Sequence, residues 1–251
     1  MHKYIISIIL LCSNLLFGDL EINFIGQYGF NFIFPSVNVK DNYKNSVYNS
    51  IKGGLGADAS VFFQVGNYFK LFKNPNDLIK GASLFFDFGY SLHGGMNEYK
   101  DPATNRRSRE LIFYHSIALG MGGKLNFSKI SLGLGTGILA PLYAQMGSSE
   151  YYGTIITPDL NGWKASDMRN LFKAPIMPYI KLTIEGYYYL VEGIDAAILM
   201  GGYVMYNFGM QYKTDVINQN IGASVFNKYN FSALSFGILL GVSLGRTDGT
   251  Y

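Results

Sequence analysis

Asp87, Ser91 and His93 are the residues of this chain whose types and spacing come nearest to a catalytic group. A carboxylate, a hydroxyl and an imidazole are the components of many nucleophilic hydrolases. The three share one face of a predicted strand, on which neighbouring side chains are about 6–7 Å apart. They therefore lie in a line, and a bond between Ser91 and His93 would need a bend at Gly94–Gly95. We predict that the protein is not an enzyme, and a lipid-modifying enzyme is the less favoured alternative.

The composition offers little for metal, cofactor or nucleic acid chemistry. The chain has three His and one Cys, which are too few ligands for a typical metal site built on these residues. The glycine-rich runs lack a phosphate-binding loop and a dinucleotide fingerprint. The formal net charge is only +3, whereas nucleic acid binding requires a concentrated basic face. We therefore expect no metal, no cofactor and no nucleic acid partner.

The elements that must position any functional side chain are long stretches of alternating character. In residues 20–34 one parity is almost wholly apolar, and the other carries Glu21, Asn23, Gln27 and Asn31. A period of two indicates a β-strand, and this run of about fifteen residues exceeds the usual length of about 3–10. Seven further strands are predicted at 53–66, 81–92, 111–126, 130–145, 175–190, 194–209 and 229–245.

The connections between these strands alternate in length. Long polar loops are predicted at 35–52, 93–110, 146–174 and 210–228, and shorter connections at 67–80, 127–129 and 191–193. Long loops at one end and short turns at the other are typical of membrane barrels, whose closure leaves no strand edge unpaired in lipid. The sequence therefore predicts an all-β fold, an eight-stranded antiparallel up-and-down transmembrane β-barrel over residues 19–251. A secreted lipocalin-like barrel with its apolar faces inside is the alternative outside membranes.

Several charged residues fall on the faces predicted to line the lumen: Asp58, Asp87, Lys181, Glu185 and Asp195. A buried charge is costly unless it is paired, and Lys181 is a natural partner for Asp87 or Glu185. The interior of an eight-stranded barrel is just wide enough for side chains to fill. We therefore expect a polar, salt-bridged plug, with a small pore or uptake channel as the alternative.

Basic residues cluster in the predicted loop 93–110, namely Lys100, Arg106, Arg107 and Arg109. This positive charge is suited to anionic glycans, lipopolysaccharide or a host polyanion, and the alternative is a solvated loop. Aromatic residues at the strand ends are typical of the interfacial girdle of a membrane barrel. They are Phe32, Phe34, Tyr90, Phe113, Tyr206 and Phe208.

Residues 1–18 have the features of a secretory signal peptide. His2 and Lys3 form a short basic start, an apolar core follows, and Gly18 is the small residue before the expected cleavage site. Lipoprotein processing at Cys12 and a retained signal anchor are the alternatives. After this leader, no apolar run approaches the ~18–20 residues that a membrane helix requires. Charged residues make up only 15% of the chain and aromatic residues 16%, which suits strands with a lipid-facing band.

The mature chain, residues 19–251, resembles the small eight-stranded outer-membrane barrels of diderm bacteria, of the OmpA and OmpX kind. The resemblance rests on architecture and strand rhythm. Tyr251 matches the aromatic end of that family, but residues 246–250 interrupt the alternation, which moves the expected assembly signal to 236–244. The resemblance implies a bacterial outer-membrane location, insertion by the barrel-assembly machinery, and a structural, adhesive or small-pore role. We predict a structural or surface-interaction protein whose long loops contact an extracellular or host ligand.

Overall fold

The computed structural model describes residues 19–71, 78–100, 105, 107–149, 162–189 and 196–245. Over these ranges the chain forms nine strands and two α-helices. The strands are β1 (Asp19–Val39), β2 (Lys52–Lys70), β3 (Gly81–Lys100), β4 (Arg107–Phe127), β5 (Ile130–Ser149), β6 (Trp163–Lys164), β7 (Met177–Tyr189), β8 (Ala196–Asn207) and β9 (Phe226–Leu244). The helices are α1 (Ala165–Leu171) and α2 (Thr214–Ile221), and two 3-10 turns lie at Asp41–Tyr43 and Val47–Ser50.

Eight of these strands form a closed antiparallel ring. β1 pairs with β2 on one edge and with β9 on the other, and β4 pairs with β5. The order around the ring is therefore β4-β3-β2-β1-β9-β8-β7-β5. β6 is a two-residue strand that pairs with the outer part of β5. The predicted eight-stranded antiparallel barrel is confirmed.

The alternation along each strand sorts apolar side chains to the outside of the ring and polar ones to the inside. Phe24 and Leu134 are 54% and 58% exposed, whereas Asn23, Gln27 and Asn31 on the other face of β1 are buried. This arrangement is the reverse of a soluble barrel, so the lipocalin-like alternative is wrong. A contiguous apolar belt of this size requires an apolar surrounding, and lipid provides one. No helix within the described ranges is long and apolar enough to cross a membrane.

The outer limit of this belt is clear on β3 and β4. Met96 and Leu111 are opposite each other and are the last apolar pair on the outward face. The next outward pair is Glu98 with Arg109, and Lys100 with Arg107 follows. A transmembrane strand needs only ~9–11 residues, so strands of about twenty extend well beyond the bilayer. Residues 97–100 and 107–110 therefore lie outside the membrane-spanning part of the barrel.

The structure corrects several predicted loop boundaries. Most of the predicted loop 93–110 is strand, because backbone pairing between β3 and β4 continues beyond the lipid, where no apolar alternation is required. The predicted loop 35–52 likewise contains the end of β1. The predicted loops 146–174 and 210–228 contain β6 with α1, and α2, respectively. The predicted turn 191–193 lies outside the described residues.

Candidate functional site

The half of the lumen near the β4–β5 turn, which we call the inner half, contains a buried ion cluster around Lys124. Its Nζ lies 2.8 Å from Glu185 Oε2 and 3.7 Å from Glu21 Oε1, and it donates a hydrogen bond of 2.9 Å to Gln64 Oε1. The Tyr187 hydroxyl donates a 2.6 Å hydrogen bond to Glu185. All these side chains are removed from solvent, so the cluster fills the cross-section at this height.

A second buried ion pair joins Lys181 and Asp87, with Nζ 2.9 Å from Oδ2. Gln64 Nε2 donates a 2.8 Å hydrogen bond to the other carboxylate oxygen of Asp87, which links this pair to the cluster around Lys124. Lys181 Nζ also lies 4.0 Å from the centre of the Phe62 ring, within the range of a cation–π contact. Of the two partners predicted for Lys181, Asp87 forms the ion pair. Glu185 is paired with Lys124 instead.

Sequence reasoning did not single out Lys124 and Glu21 among the lumen charges. Both have the inward parity of their strands, and Lys124 pairs in register with Gly133. The alternation around Lys124 is interrupted by Gly120, Gly122 and Gly123, which carry no side chain to mark a face. Counting alternate residues from Arg107, at the other end of β4, would have placed Lys124 on the inward face.

Asp58 differs from Glu21, Asp87 and Glu185 because no cation lies within ion-pair distance of it in the described part of the chain. It is buried, and its Oδ1 accepts a 3.0 Å hydrogen bond from Ser60. His93 occupies the opposite position on β3. Asp195 and Arg106, which the sequence also singled out, lie outside the described residues.

The three residues considered as a catalytic group have separate partners. Asp87 is paired with Lys181, Ser91 lies 2.9 Å from Ser60, and His93 Nε2 lies 3.2 Å from Asn207 Nδ2. The side chains therefore remain in the line that the strand imposes, and they do not meet at one point.

The outer mouth of the barrel is closed by a segment that we call the cap, comprising residues 162–176 and 208–225. Met168 of α1 and Ile217 of α2 are fully buried. Phe172 forms a backbone bridge with Tyr212, and their rings are 4.2 Å apart. The only Trp of the chain, Trp163, packs edge-on against Phe172 at 6.2 Å. The cap is thus held in the mouth by an aromatic and aliphatic core of its own.

A small cavity of about 40 Å³ remains between the cap and the ion pairs below it. Its lining includes His93, Asn97, Tyr114, Asn207 and Tyr212. Because one water needs roughly 10–15 Å³ of such volume, the cavity has room for about three waters.

A buried carboxyl lies at the junction of the barrel and the cap. Glu110 is 1% exposed and accepts a hydrogen bond from the hydroxyl of Tyr99. Burial raises the pKa of Glu110 to about 7, although the hydrogen bond from Tyr99 acts to lower it. Sequence reasoning missed this residue because it was assigned to a polar loop, where a carboxylate is ordinarily solvated.

Three of the basic residues of the predicted loop 93–110 lie on the outward face of β3 and β4, where these strands extend beyond the membrane. We call Lys100, Arg107 and Arg109 the basic ridge. Glu98 lies between the two arginines, 3.3 Å from Arg107 Nη1 and 3.5 Å from Arg109 Nε. The ridge is exposed and carries three positive charges against one negative charge. Its position on paired strands corrects the prediction that these residues belong to a loop.

Comparisons with known proteins found similar folds among solved structures. No family model and no curated protein matches the chain. Its fold is similar to the outer membrane protease OmpT from Escherichia coli (9% identity, 91% of this chain and 97% of that one, TM-score 0.40). It is also similar to Neisserial surface protein A (14% identity, covering 89% of this chain and 97% of that one, TM-score 0.33). A third similar structure is the transport unit of the autotransporter AIDA-I from Escherichia coli (9% identity, covering 89% of this chain and 75% of that one, TM-score 0.28).

The closed ring and its apolar belt define the protein as a β-barrel of the outer-membrane class. The matched structures are outer-membrane barrels with diverse roles, and none of them points to the OmpA and OmpX family in particular. The prediction that the protein is not an enzyme is contradicted, because one of the similar barrels is a protease.

Proposed function

We propose that the protein is a closed barrel of the bacterial outer membrane that acts through its outer surface, in a structural or surface-interaction role. The observation that carries this proposal is that buried side chains occupy the lumen at both its inner half and its mouth. The cluster around Lys124 and the Lys181–Asp87 pair occupy the inner half, and the cap occupies the mouth.

The energetics of the lumen support a plug that stays in place. Removing one partner from a buried ion pair costs about 3–5 kcal/mol, since the other charge is left without compensation. An ion crossing the barrel would have to separate Lys181 from Asp87 and pass the cluster around Lys124. The hydrogen bonds from Gln64 and Tyr187 further hold these charges in position.

Planar-bilayer recording of the refolded protein tests this proposal. We expect no stepwise conductance from the native protein at neutral pH. A double variant, Lys124→Ala with Lys181→Ala, removes both cations of the plug and should give a measurable leak if it folds, which heat-modifiable migration on gels would establish. Regular conductance steps from the native protein would contradict the closed lumen and favour the small-pore alternative.

We further infer that the surface role involves the basic ridge and an anionic polysaccharide outside the cell. Each Lys or Arg close to an anionic surface contributes about 1 kcal/mol, and Glu98 offsets part of this sum. Replacing Lys100, Arg107 and Arg109 by Ala should therefore weaken binding of a sulfated polysaccharide such as heparin roughly 10- to 100-fold.

The control for this experiment is Lys129→Ala, which removes an exposed cation from the turn between β4 and β5, at the opposite end of the barrel. Binding by the ridge should also weaken as salt is raised, because screening shortens the reach of exposed charges. Equal affinity of the native protein and the triple variant would show that the ridge is only a solvated surface.

The location and the route of assembly remain predictions. The leader at residues 1–18 and the terminal Tyr251 lie outside the described residues. Export through a cleaved leader and insertion by the barrel-assembly machinery are supported by the apolar belt, which requires lipid. Fractionation of cell envelopes by density, with an antibody to the barrel, tests the location, and recovery in the soluble fraction would contradict it.

A further inference from the structure

The junction between the cap and the barrel contains the one lumen-facing acid that lies beyond the lipid belt in the described strands. Glu110 points inward from β4, at a height where the outward face already carries Arg109. Its Oε2 accepts the hydrogen bond from Tyr99, and its Oε1 is buried without a hydrogen-bond partner. No ion pair involving Glu110 occurs among the described residues.

The described groups that face Glu110 are all uncharged near neutrality. β3 contributes Tyr99 and the amide of Asn97, and β4 contributes Tyr114. Tyr212 comes from the cap and Tyr229 from β9. Burial raises the pKa of Tyr212 and Tyr229 well above the usual range, so neither phenol ionises below pH 10.

A series of contacting aromatic rings connects the cap to the carboxyl of Glu110. Tyr212 faces Glu110 and also stacks on Phe172, which in turn contacts Trp163. The ring of Tyr229 lies 5.1 Å from that of Tyr212. Glu110 is 1% exposed and does not line the small cavity, so we expect its hydration from the outside to require movement of this series.

We propose that Glu110 is a proton-controlled latch, which holds the cap closed while its carboxyl is protonated and releases the cap when it ionises. A protonated carboxyl is neutral, so its burial among uncharged phenols and an amide costs much less than the burial of a carboxylate. An ionised carboxyl needs hydration or a cation, and displacement of the cap provides access to water. This latch goes beyond the proposed function, since the ion pairs of the inner half stay in place and the opened mouth leads to a blind vestibule.

The direction of the pH dependence follows from linkage. In the closed state the pKa of Glu110 is about 7, and in the open state it returns toward the ordinary value near 4.5. The closed state therefore binds the proton more tightly, and the ratio of closed to open forms falls as pH rises from about 4.5 to about 7. With this difference the ratio falls up to roughly 300-fold, and above pH 7 it is constant.

Trp163 provides the measurement, because it is the only Trp of the chain and it lies buried within the cap. The experiment is acrylamide quenching of Trp163 fluorescence in the refolded, full-length mature protein in detergent, between pH 4.5 and 8.5. Quenching should rise between pH 4.5 and 7 and level off above that. In Glu110→Gln the pH dependence should be lost, because a carboxamide cannot ionise.

Two further variants make the outcome decisive. Glu98→Gln is the matched control, since Glu98 is an acid on the outward face of the neighbouring strand, and it should leave the pH dependence intact. Tyr99→Phe removes the hydrogen bond that stabilises the ionised carboxyl and should move the upper limit of the transition to higher pH. Quenching that does not vary with pH in the native protein would overturn the latch. A transition that persists in Glu110→Gln would also overturn it and would point to His93, deeper in the cavity.

Discussion

Replacement of Lys124 by Met should destabilise the barrel far more than the loss of an ordinary surface charge. The change removes an ammonium that lies 2.8 Å from Glu185 and 3.7 Å from Glu21, and leaves both carboxylates buried without a cation. Breaking a buried pair in this way costs about 3–5 kcal/mol, whereas an exposed pair is worth about 0–1 kcal/mol. Because whole domains are stable by only about 5–15 kcal/mol, the expected loss is a large share of the total.

Urea titration of the refolded protein in lipid vesicles, followed by heat-modifiable migration on gels, measures this loss. Lys129→Met is the matched control, because Lys129 is exposed in the adjoining turn and should change stability by less than about 0.5 kcal/mol. Adding Glu185→Gln to Lys124→Met should recover part of the loss, with a coupling of about 0.5–3 kcal/mol. A loss below about 1 kcal/mol for Lys124→Met would refute the argument that this charge is essential to the plug.

Two other substitutions test the wall of the barrel and the cap by the same unfolding assay. Leu134→Arg places a charge on the outward face, where Leu134 is 58% exposed, and should cost about 2–4 kcal/mol in lipid. The same charge introduced by Ser36→Arg, beyond the belt, should cost little, and equal losses would contradict the position of the membrane. Gly209 has φ 68° and lies two residues after the end of β8, so Gly209→Ala should cost about 1–3 kcal/mol and force its Cβ against the carbonyl oxygen of Phe231. Gly222 also has a positive φ but open space around it, so Gly222→Ala should cost less, and a larger loss at Gly222 would contradict this reasoning.

The strands and their orientation were predictable because lipid imposes a strong pattern. Every second residue in the belt must be apolar, and the period of two is therefore visible in residues 20–34 without any structure. The pattern fails above the belt, where Glu98 and Lys100 face water and no longer contrast with their inward neighbours. The strands continue there through backbone pairing, which leaves no signature in the side chains.

The details of the candidate site were harder to predict for a related reason. Asp87 and Lys181 stood out because they interrupt clear alternation, whereas Lys124 follows a run of glycines that hides its parity. The cap was missed because α1 has only seven residues and its burial depends on the mouth that it fills. A helix as short as α1 shows too little periodicity to be recognised from sequence. The burial of Glu110 beneath the cap depends on the position of the cap, which the sequence does not show.

The pairing of β1 with both β2 and β9 constrains the order of events during biogenesis. Ile22 lies opposite Leu244, so the first and the last described strands are neighbours along one seam. Until the ribosome has completed β9, one whole side of β1 lacks hydrogen-bond partners, which hydrocarbon does not tolerate. Products terminated upstream of Phe226 should therefore fail to embed in a bilayer, because the seam between β1 and β9 cannot close.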